Sequence, residues 1–89
     1  MYPVRINRSS LIYYDYLQDA VNGTSAGDIL QSQDYLFTED VTFNNAVTVN
    51  LEAGYDCSYA TGTGTTIING NLTINNGSIT ILKGTLEIQ

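Results

Sequence analysis

Three apolar-polar-apolar triplets near the end of the chain constrain its fold more than any other feature. They begin seven positions apart, and they are Leu72-Thr73-Ile74, Ile79-Thr80-Ile81 and Leu86-Glu87-Ile88. A spacing of seven also occurs in coiled coils, but each triplet alternates with period two and contains β-branched residues. Asn and Gly, which are unfavourable inside helices, lie between the triplets. The pattern therefore predicts very short strands joined by turns, which is typical of one coil of a β-solenoid.

Similar alternation occurs earlier in the chain, and it predicts a second coil. The expected register places inward residues on inward residues and outward Thr on outward Thr. In this register Val41-Thr42-Phe43 stacks on Leu72-Thr73-Ile74, Val47-Thr48-Val49 stacks on Ile79-Thr80-Ile81, Thr42 meets Thr73, and Thr48 meets Thr80. A slip of one residue would turn the apolar side chains toward water. We therefore expect an all-β parallel β-helix of about two coils, with residues 28–52 as the first coil and 65–89 as the last.

A helix is expected over residues 13–23, after an N-terminal strand and linker at 1–12. Asp15 can act as the N-cap with Gln18 three residues later, which is a capping-box arrangement. An apolar face follows at spacings of three and four, formed by Tyr13, Leu17, Ala20 and Val21. Gly23 supplies the stop. Because one face is apolar, this helix is expected to cap the first coil.

Residues 53–64 form a long connection without periodicity between the two expected coils. Connections of about a dozen residues are unusual in compact domains and are often functional. Tyr55, Asp56 and Tyr59 lie in this segment, where aromatic faces beside polar groups can bind sugars. These three residues are the candidate ligand-binding site, and the alternative is that the tyrosines pack over the edge of a coil.

The charge distribution excludes several classes of partner. The formal net charge is −6, and Arg5, Arg8 and Lys83 are the only cations. Nucleic acid and anionic membranes attract clustered Lys and Arg, so neither is an expected partner. No apolar run approaches the roughly 20 residues of a membrane span, so we expect no membrane insertion. The start, Met1-Tyr2-Pro3-Val4, does not resemble a signal peptide, and we expect an excised or tagged piece of a larger protein.

Catalytic chemistry has little support in the sequence. The chain has no His, so Cys57 lacks the usual base and is expected to be an ordinary loop or packing residue. Glu39 and Asp40 are adjacent on the chain, which would point them to opposite faces of a strand. The acidic residues also lack the compact spacing of a Ca²⁺ loop. We therefore expect no catalytic residues, no metal and no cofactor.

The last coil is expected to leave apolar side chains and free strand edges uncovered. The residues concerned are Ile74, Ile81, Leu86 and Ile88, and they form the candidate self-association site. Covering one such Ile is worth about 1.5–3 kcal/mol, which is large against a total stability of roughly 5–15 kcal/mol. Either a homodimer forms through this end or the remaining coils of a larger protein cover it.

Two segments carry a resemblance to a known superfamily. Leu17-Gln18-Asp19-Ala20-Val21 followed by Ala26-Gly27-Asp28-Ile29-Leu30 resembles the start of right-handed parallel β-helix proteins of the pectin lyase-like superfamily. Gly54-Tyr55-Asp56-Cys57 and residues 65–74 are similar to C-terminal modules of large, uncharacterised bacterial cell-surface proteins. The resemblance implies a short right-handed parallel β-helix with an N-terminal capping helix, and an extracellular or cell-surface location.

These patterns together predict a non-catalytic structural or interaction module of an exported bacterial protein, self-associating through its open C-terminal coil. One alternative is a carbohydrate-binding module, for which a glycan is the partner. Another is a fragment of a polysaccharide lyase or hydrolase. The enzymes of the superfamily stack many coils, whereas this chain has material for about two, and no position matches their catalytic motifs.

Overall fold

A computed structural model describes residues 2–89, and Met1 of the expected N-terminal segment lies outside the described residues. Strands and turns dominate, as the alternating patterns predict. The elements in chain order are β1 Val4–Asn7, β2 Leu11–Tyr14, α1 Leu17–Asn22, β3 Ile29–Gln33, β4 Leu36–Phe37, β5 Val41–Tyr55, β6 Thr65–Ile68, β7 Leu72–Lys83 and β8 Thr85–Ile88.

The strands form two sheets. The first has five strands in the order β2-β1-β3-β5-β7, and the second has three strands in the order β4-β6-β8. In the first sheet β1 pairs antiparallel with both β2 and β3, whereas β3, β5 and β7 pair in parallel. The second sheet is parallel throughout. The larger sheet is therefore mixed.

The fold expected from the sequence, a short right-handed parallel β-helix of about two coils, is wrong. Residues 2–89 form two sheets, of which one is mixed, and they form no solenoid and no closed sheet. Two features of the chain explain the difference. The N-terminal residues add the antiparallel pair β1 and β2, which alternation alone does not distinguish from a linker. Asn44-Asn45 and the residues between the triplets at 72–74 and 79–81, interpreted as breaks between short strands, instead remain inside the long strands β5 and β7.

The predicted register between β5 and β7 holds in the first half and shifts in the second. Val41 pairs with Leu72, and Thr42 pairs with Thr73, as predicted. Further along, Thr48 pairs with Ser78 rather than with Thr80. The shift arises because β5 contains extra residues opposite Gly77, between two register irregularities. Alternation therefore identified the inward face, whereas the irregular residues decided the later pairs.

The hydrophobic core lies between the two sheets and beneath α1. Its fully buried members include Phe37, Phe43, Val41 and Ile68, each at most 2% exposed. The core as a whole is formed by Val4, Ile6, Leu17, Ala20, Val21, Leu30, Phe37, Val41, Phe43, Val49, Leu51, Ala53 and Ile68. Burying a side chain of this size contributes about 1.5–3 kcal/mol, so these contacts supply much of the stability.

The helix is shorter than the predicted span of 13–23, and a distant residue holds its start. Tyr16 is the N-cap residue, and its side chain makes no capping hydrogen bond. The backbone N–H groups of Leu17 and Gln18 donate to the two carboxylate oxygens of Glu39, at 2.9 and 3.0 Å. The capping role expected of Asp15 therefore belongs to Glu39. Gly23 ends the helix, as predicted.

Gln18 joins α1 to the edge of β5 that faces away from β7. Its side-chain amide donates to the Thr42 carbonyl at 2.9 Å and accepts from the Thr42 N–H at 2.6 Å. The amide thus makes the two hydrogen bonds that a neighbouring strand would make. Asn45 adds a bond from its amide to the Val21 carbonyl at 2.9 Å. This part of β5 is closed on that side.

Candidate functional site

The outer edge of β7 and β8 is the largest unpaired strand edge of the described residues. β7 pairs with β5, and β8 pairs with β6, while neither has a neighbour on its other side within residues 2–89. β7 is 12 residues long. The other edge strands are shorter, since β2 has 4 residues and β4 has 2. Short edge strands are a usual protection against unwanted pairing, and β7 lacks it.

Backbone groups of β7 point outward in alternation. The N–H of Val41 donates to the carbonyl of Asn71 at 2.8 Å. In a parallel ladder the residues of one strand bond alternately to the two sides. Thr73 therefore bonds β5, and Leu72 and Ile74 direct their N–H and C=O groups away from the sheet. An incoming strand would find donors and acceptors in place there.

The self-association residues expected from the sequence all lie along this edge. Ile74, Ile81 and Ile88 are 48%, 47% and 46% exposed. Leu86 differs, since it is partly buried and packs against the core. Leu82 is 50% exposed and was missed because it follows a triplet rather than belonging to one. The edge therefore combines free backbone groups with half-exposed apolar side chains.

The edge is also electrically neutral within an acidic protein. Residues 70–89 contain one cation, Lys83, and one anion, Glu87, so the net charge of −6 lies within residues 1–69. The Lys83 ammonium lies 3.9 Å from the carboxylate of Glu52. Like charges across an interface disfavour association, so this neutral edge is the part of the surface best suited to meet another acidic chain.

A second candidate site is a cleft at the opposite end of the larger sheet. Its volume is about 380 Å³, and it is lined by Tyr2, Arg5, Tyr13, Gln33, Cys57, Ser58 and Tyr59. We call it the tyrosine cleft. Tyr2 and Tyr13 are 49% and 42% exposed, with ring centroids 5.9 Å apart. The cleft therefore offers aromatic faces to solvent.

Arg5 is the cation of the tyrosine cleft. Its guanidinium carbon lies 4.0 Å from the centroid of the Tyr59 ring, which is a cation–π contact. Its Nε donates to the Gln31 side chain at 2.6 Å, and one terminal nitrogen donates to the Tyr13 hydroxyl at 3.2 Å. Arg8, in contrast, is paired with Asp28. Among the described residues Arg5 forms no ion pair, and its neutral partners hold it in the cleft.

Tyr59 has an unusual backbone conformation for its residue type. Its φ is +59°, which lies in the left-handed region that residues other than Gly rarely adopt. Its hydroxyl donates to the carbonyl of Tyr2 at 2.7 Å. Burial raises the pKa of Tyr59 to about 12. The loop therefore holds this ring against Arg5 at a cost in backbone strain of about 1–3 kcal/mol.

Tyr55 and Asp56 do not line the cleft, and their side chains bond to other residues of the protein. Tyr55 is 5% exposed, and its hydroxyl donates to Glu52 at 2.7 Å. Burial, followed by that bond, raises the pKa of Tyr55. Asp56 accepts bonds from the backbone N–H groups of Ala60 and Ser58, both at 3.0 Å. The bond from Ala60, followed by one from the Ser58 hydroxyl at 2.9 Å, lowers the pKa of Asp56, and together these bonds fix the turn.

A partly buried polar bridge connects the cleft to Glu52 on β5. Gln31 donates to the Glu52 carboxylate at 2.7 Å, and Gln31 also accepts the bond from Arg5. Burial alone would raise the pKa of Glu52, but the hydrogen bonds from Gln31 and Tyr55 and the charges of Lys83 and Arg5 together lower it. A charged Glu52 therefore anchors the residues behind the cleft.

Of the predicted ligand-binding residues, the structure places Tyr59 in the cleft. The neighbours that complete the cleft come from the N-terminal segment and were missed. Arg5 and Tyr13 are directly paired across β1 and β2, whereas Tyr59 lies more than forty residues further along the chain. Alternation in Val4-Arg5-Ile6 indicates that Arg5 points outward, but it carries no information about the loop that meets it.

Residues 2–89 contain neither a cluster of metal ligands nor a helix that could span a membrane. No three side chains of His, Cys, Asp or Glu in this range lie together as ligands of a metal ion would. No helix in the same range is long and apolar enough to cross a membrane.

Known proteins offer no match to this chain, so its function is inferred from the geometry of the structure. No protein-family model, no curated protein and no solved structure matches the chain. The resemblance to the pectin lyase-like superfamily therefore stays a prediction from the sequence.

Proposed function

We propose that the protein is a non-catalytic structural or interaction module that joins another polypeptide by strand pairing along the outer edge of β7 and β8. The observation that carries the proposal is the 12-residue strand β7, which has a partner on one side alone among the described residues. Strand addition to an exposed sheet edge is a recurring mode of peptide recognition, in which main-chain bonds give affinity and side-chain contacts give specificity.

The contrast with the far side of β5 supports this function. There, Gln18 makes both main-chain bonds to Thr42, and Glu39 holds α1 in place. The main-chain N–H and C=O groups of Thr42 therefore both have hydrogen-bond partners on that side. The described residues contain no equivalent on the outer side of β7. An edge left open while another is closed fits a role in pairing.

The probe for this function is a fluorescently labelled peptide with the sequence of β7, residues 72–83, measured by anisotropy. We expect binding to the protein, and we expect Ile74→Pro to abolish it because proline removes an outward N–H. The control is Ile12→Lys in the short edge strand β2, which lies at the other edge of the same sheet and should leave binding unchanged. Equal binding by Ile74→Pro and the unchanged protein, or no binding by the protein when it is monomeric at the assay concentration, would contradict the proposal.

A glycan-binding function is the second candidate, and the exposed rings of Tyr2 and Tyr13 beside the cleft favour it. Sugar rings stack on aromatic faces, and the neighbouring Ser58 is an exposed polar residue of the cleft. A glycan array tests this function with Tyr13→Ala and the matched control Tyr35→Ala, which removes a ring of similar exposure, 43%, outside the cleft. Glycan binding that both variants lose equally, or that is absent throughout, would argue against the cleft. The expected cell-surface location stays a prediction.

A further inference from the structure

The lengths of the strand edges limit how two copies of this protein can meet. β7 offers 12 residues, whereas β2 offers 4 and β4 offers 2. A head-to-tail contact would have to place β7 of one copy on the opposite end of the next. That end is formed by short strands and by α1, whose Gln18 already occupies the edge of β5. Pairing of β7 with β7 uses the long edge on both sides.

Charge favours the same contact. Each copy carries −6, and residues 70–89 are the neutral part of the chain. The end near α1 carries Asp15 and Asp19. Two copies approaching through β7 therefore bring neutral surfaces together and keep their acidic surfaces apart, which lowers repulsion.

The sequence of β7 is self-complementary when two copies run antiparallel. In the fully overlapped register, residues equally distant from the two ends of Leu72–Lys83 face each other. Ile74 then faces Ile81 of the partner subunit, and Ile81 faces the partner's Ile74. These are two half-exposed apolar residues of the strand, and the register pairs them twice. Apolar cross-strand pairs stabilise antiparallel strands beyond the backbone bonds.

We infer that two copies of the protein join about a two-fold axis, with β7 antiparallel to β7 in the fully overlapped register. The inference rests on the proposed function of this edge and names its occupant as a second copy. A two-fold contact uses the same patch on both subunits and closes on itself, so assembly stops at the dimer. The five-stranded sheet then continues across the axis into the partner's five-stranded sheet.

Molar mass by light scattering over a range of concentrations is the first test. We expect the mass of a dimer, and we expect Ile74→Lys combined with Ile81→Lys to give a monomer with unchanged circular dichroism. Leu36→Lys is the matched control, because Leu36 is exposed to a similar extent, 49%, and lies on β4, away from the edge formed by β7 and β8. A monomer for the unchanged protein, a mass that rises beyond two copies, or a loss of dimer in Leu36→Lys would overturn the inference.

Disulfide cross-linking tests the register. In a Cys57→Ser background, Ile74→Cys and Ile81→Cys are prepared as separate proteins, mixed and oxidised. Directly opposed residues in antiparallel strands lie at a separation that a disulfide can span. We expect cross-linked dimers from the mixture and little from either protein alone. A cross-link in either protein alone at the yield of the mixture, or none in the mixture, would overturn the proposed register.

The peptide assay separates this inference from the function on which it rests. If the protein is a monomer but the β7 peptide binds and Ile74→Pro abolishes binding, the edge pairs with strands and the two-fold dimer is wrong. If the protein is a monomer and the peptide does not bind, both the proposed function and the dimer are wrong.

Discussion

The hydroxyl groups of Ser32 and Thr66 lie 2.9 Å apart in the space between the two sheets, and both residues are fully buried. The Thr66 hydroxyl also accepts from the Gly54 N–H at 2.9 Å and donates to the Gln33 carbonyl at 2.7 Å. Since a hydroxyl has one proton, Ser32 must donate to Thr66. The Thr66 side chain thereby satisfies three polar groups, two on β3 and one on β5.

Replacing Thr66 by Val should destabilise the protein although the shape is nearly kept. The Gly54 N–H and the Ser32 hydroxyl would lose a buried partner, and each such loss costs about 1–3 kcal/mol. We expect a decrease of roughly 2–4 kcal/mol in the free energy of unfolding, measured by urea denaturation. Thr66→Ser keeps the hydroxyl and should lose much less. Equal stabilities for the Val and Ser variants would show that the network contributes little.

Removing the carboxylate of Glu39 should weaken the helix start, whereas removing that of Asp15 should not. Glu39 accepts from the N–H groups of Leu17 and Gln18, and loss of a capping group costs about 0.5–2 kcal/mol. We expect Glu39→Ala to lower the free energy of unfolding by roughly 1–2 kcal/mol. Asp15→Ala should change it by less than about 0.5 kcal/mol. The reverse order would favour the capping box predicted from the sequence.

The pair Asp15 and Glu39 also shows how far local patterns reach. The sequence predicted a helix ending at Gly23, and the structure has one, because helix signals depend on neighbours in the chain. The residue that caps its start lies more than twenty positions away, and no local pattern identifies it. The local motif was present, but a tertiary contact took its role.

The candidate sites differ in the same way. The apolar edge residues Ile74 and Ile81 were found from period-two alternation, which reports the inward face of a strand. Alternation does not identify which strands pair with each other. Arg5 reaches Tyr59 because β1 is inserted beside β3, and this topology follows from the pairing of whole strands. The pattern of short apolar segments fits several pairings, which is why it suggested a parallel β-helix.

Tyr59 should titrate later than an ordinary tyrosine. Burial raises its pKa to about 12 from the usual 10, so a tyrosinate absorbance titration should contain a late step that Tyr59→Phe removes. The raised pKa also makes the free energy of unfolding decrease at high pH. The contribution of neutral Tyr59 is fully present below pH 10 and is lost as the pH rises toward 12. An unchanged late step in Tyr59→Phe would show that another tyrosine is responsible.

Gly77 and Gly27 offer a matched test of the β5 to β7 irregularity. Both have positive φ, +80° and +84°, so alanine is strained at either position by about 1 kcal/mol. A Cβ on Gly77 would also collide with the carbonyl oxygens of Asn45 and Val47, whereas one on Gly27 would meet nothing within 4 Å. We therefore expect Gly77→Ala to lower the free energy of unfolding by at least about 2 kcal/mol more than Gly27→Ala. Equal losses in urea denaturation would mean that β5 does not press on β7 at the register shift, and the pairing of Thr48 with Ser78 would then be wrong.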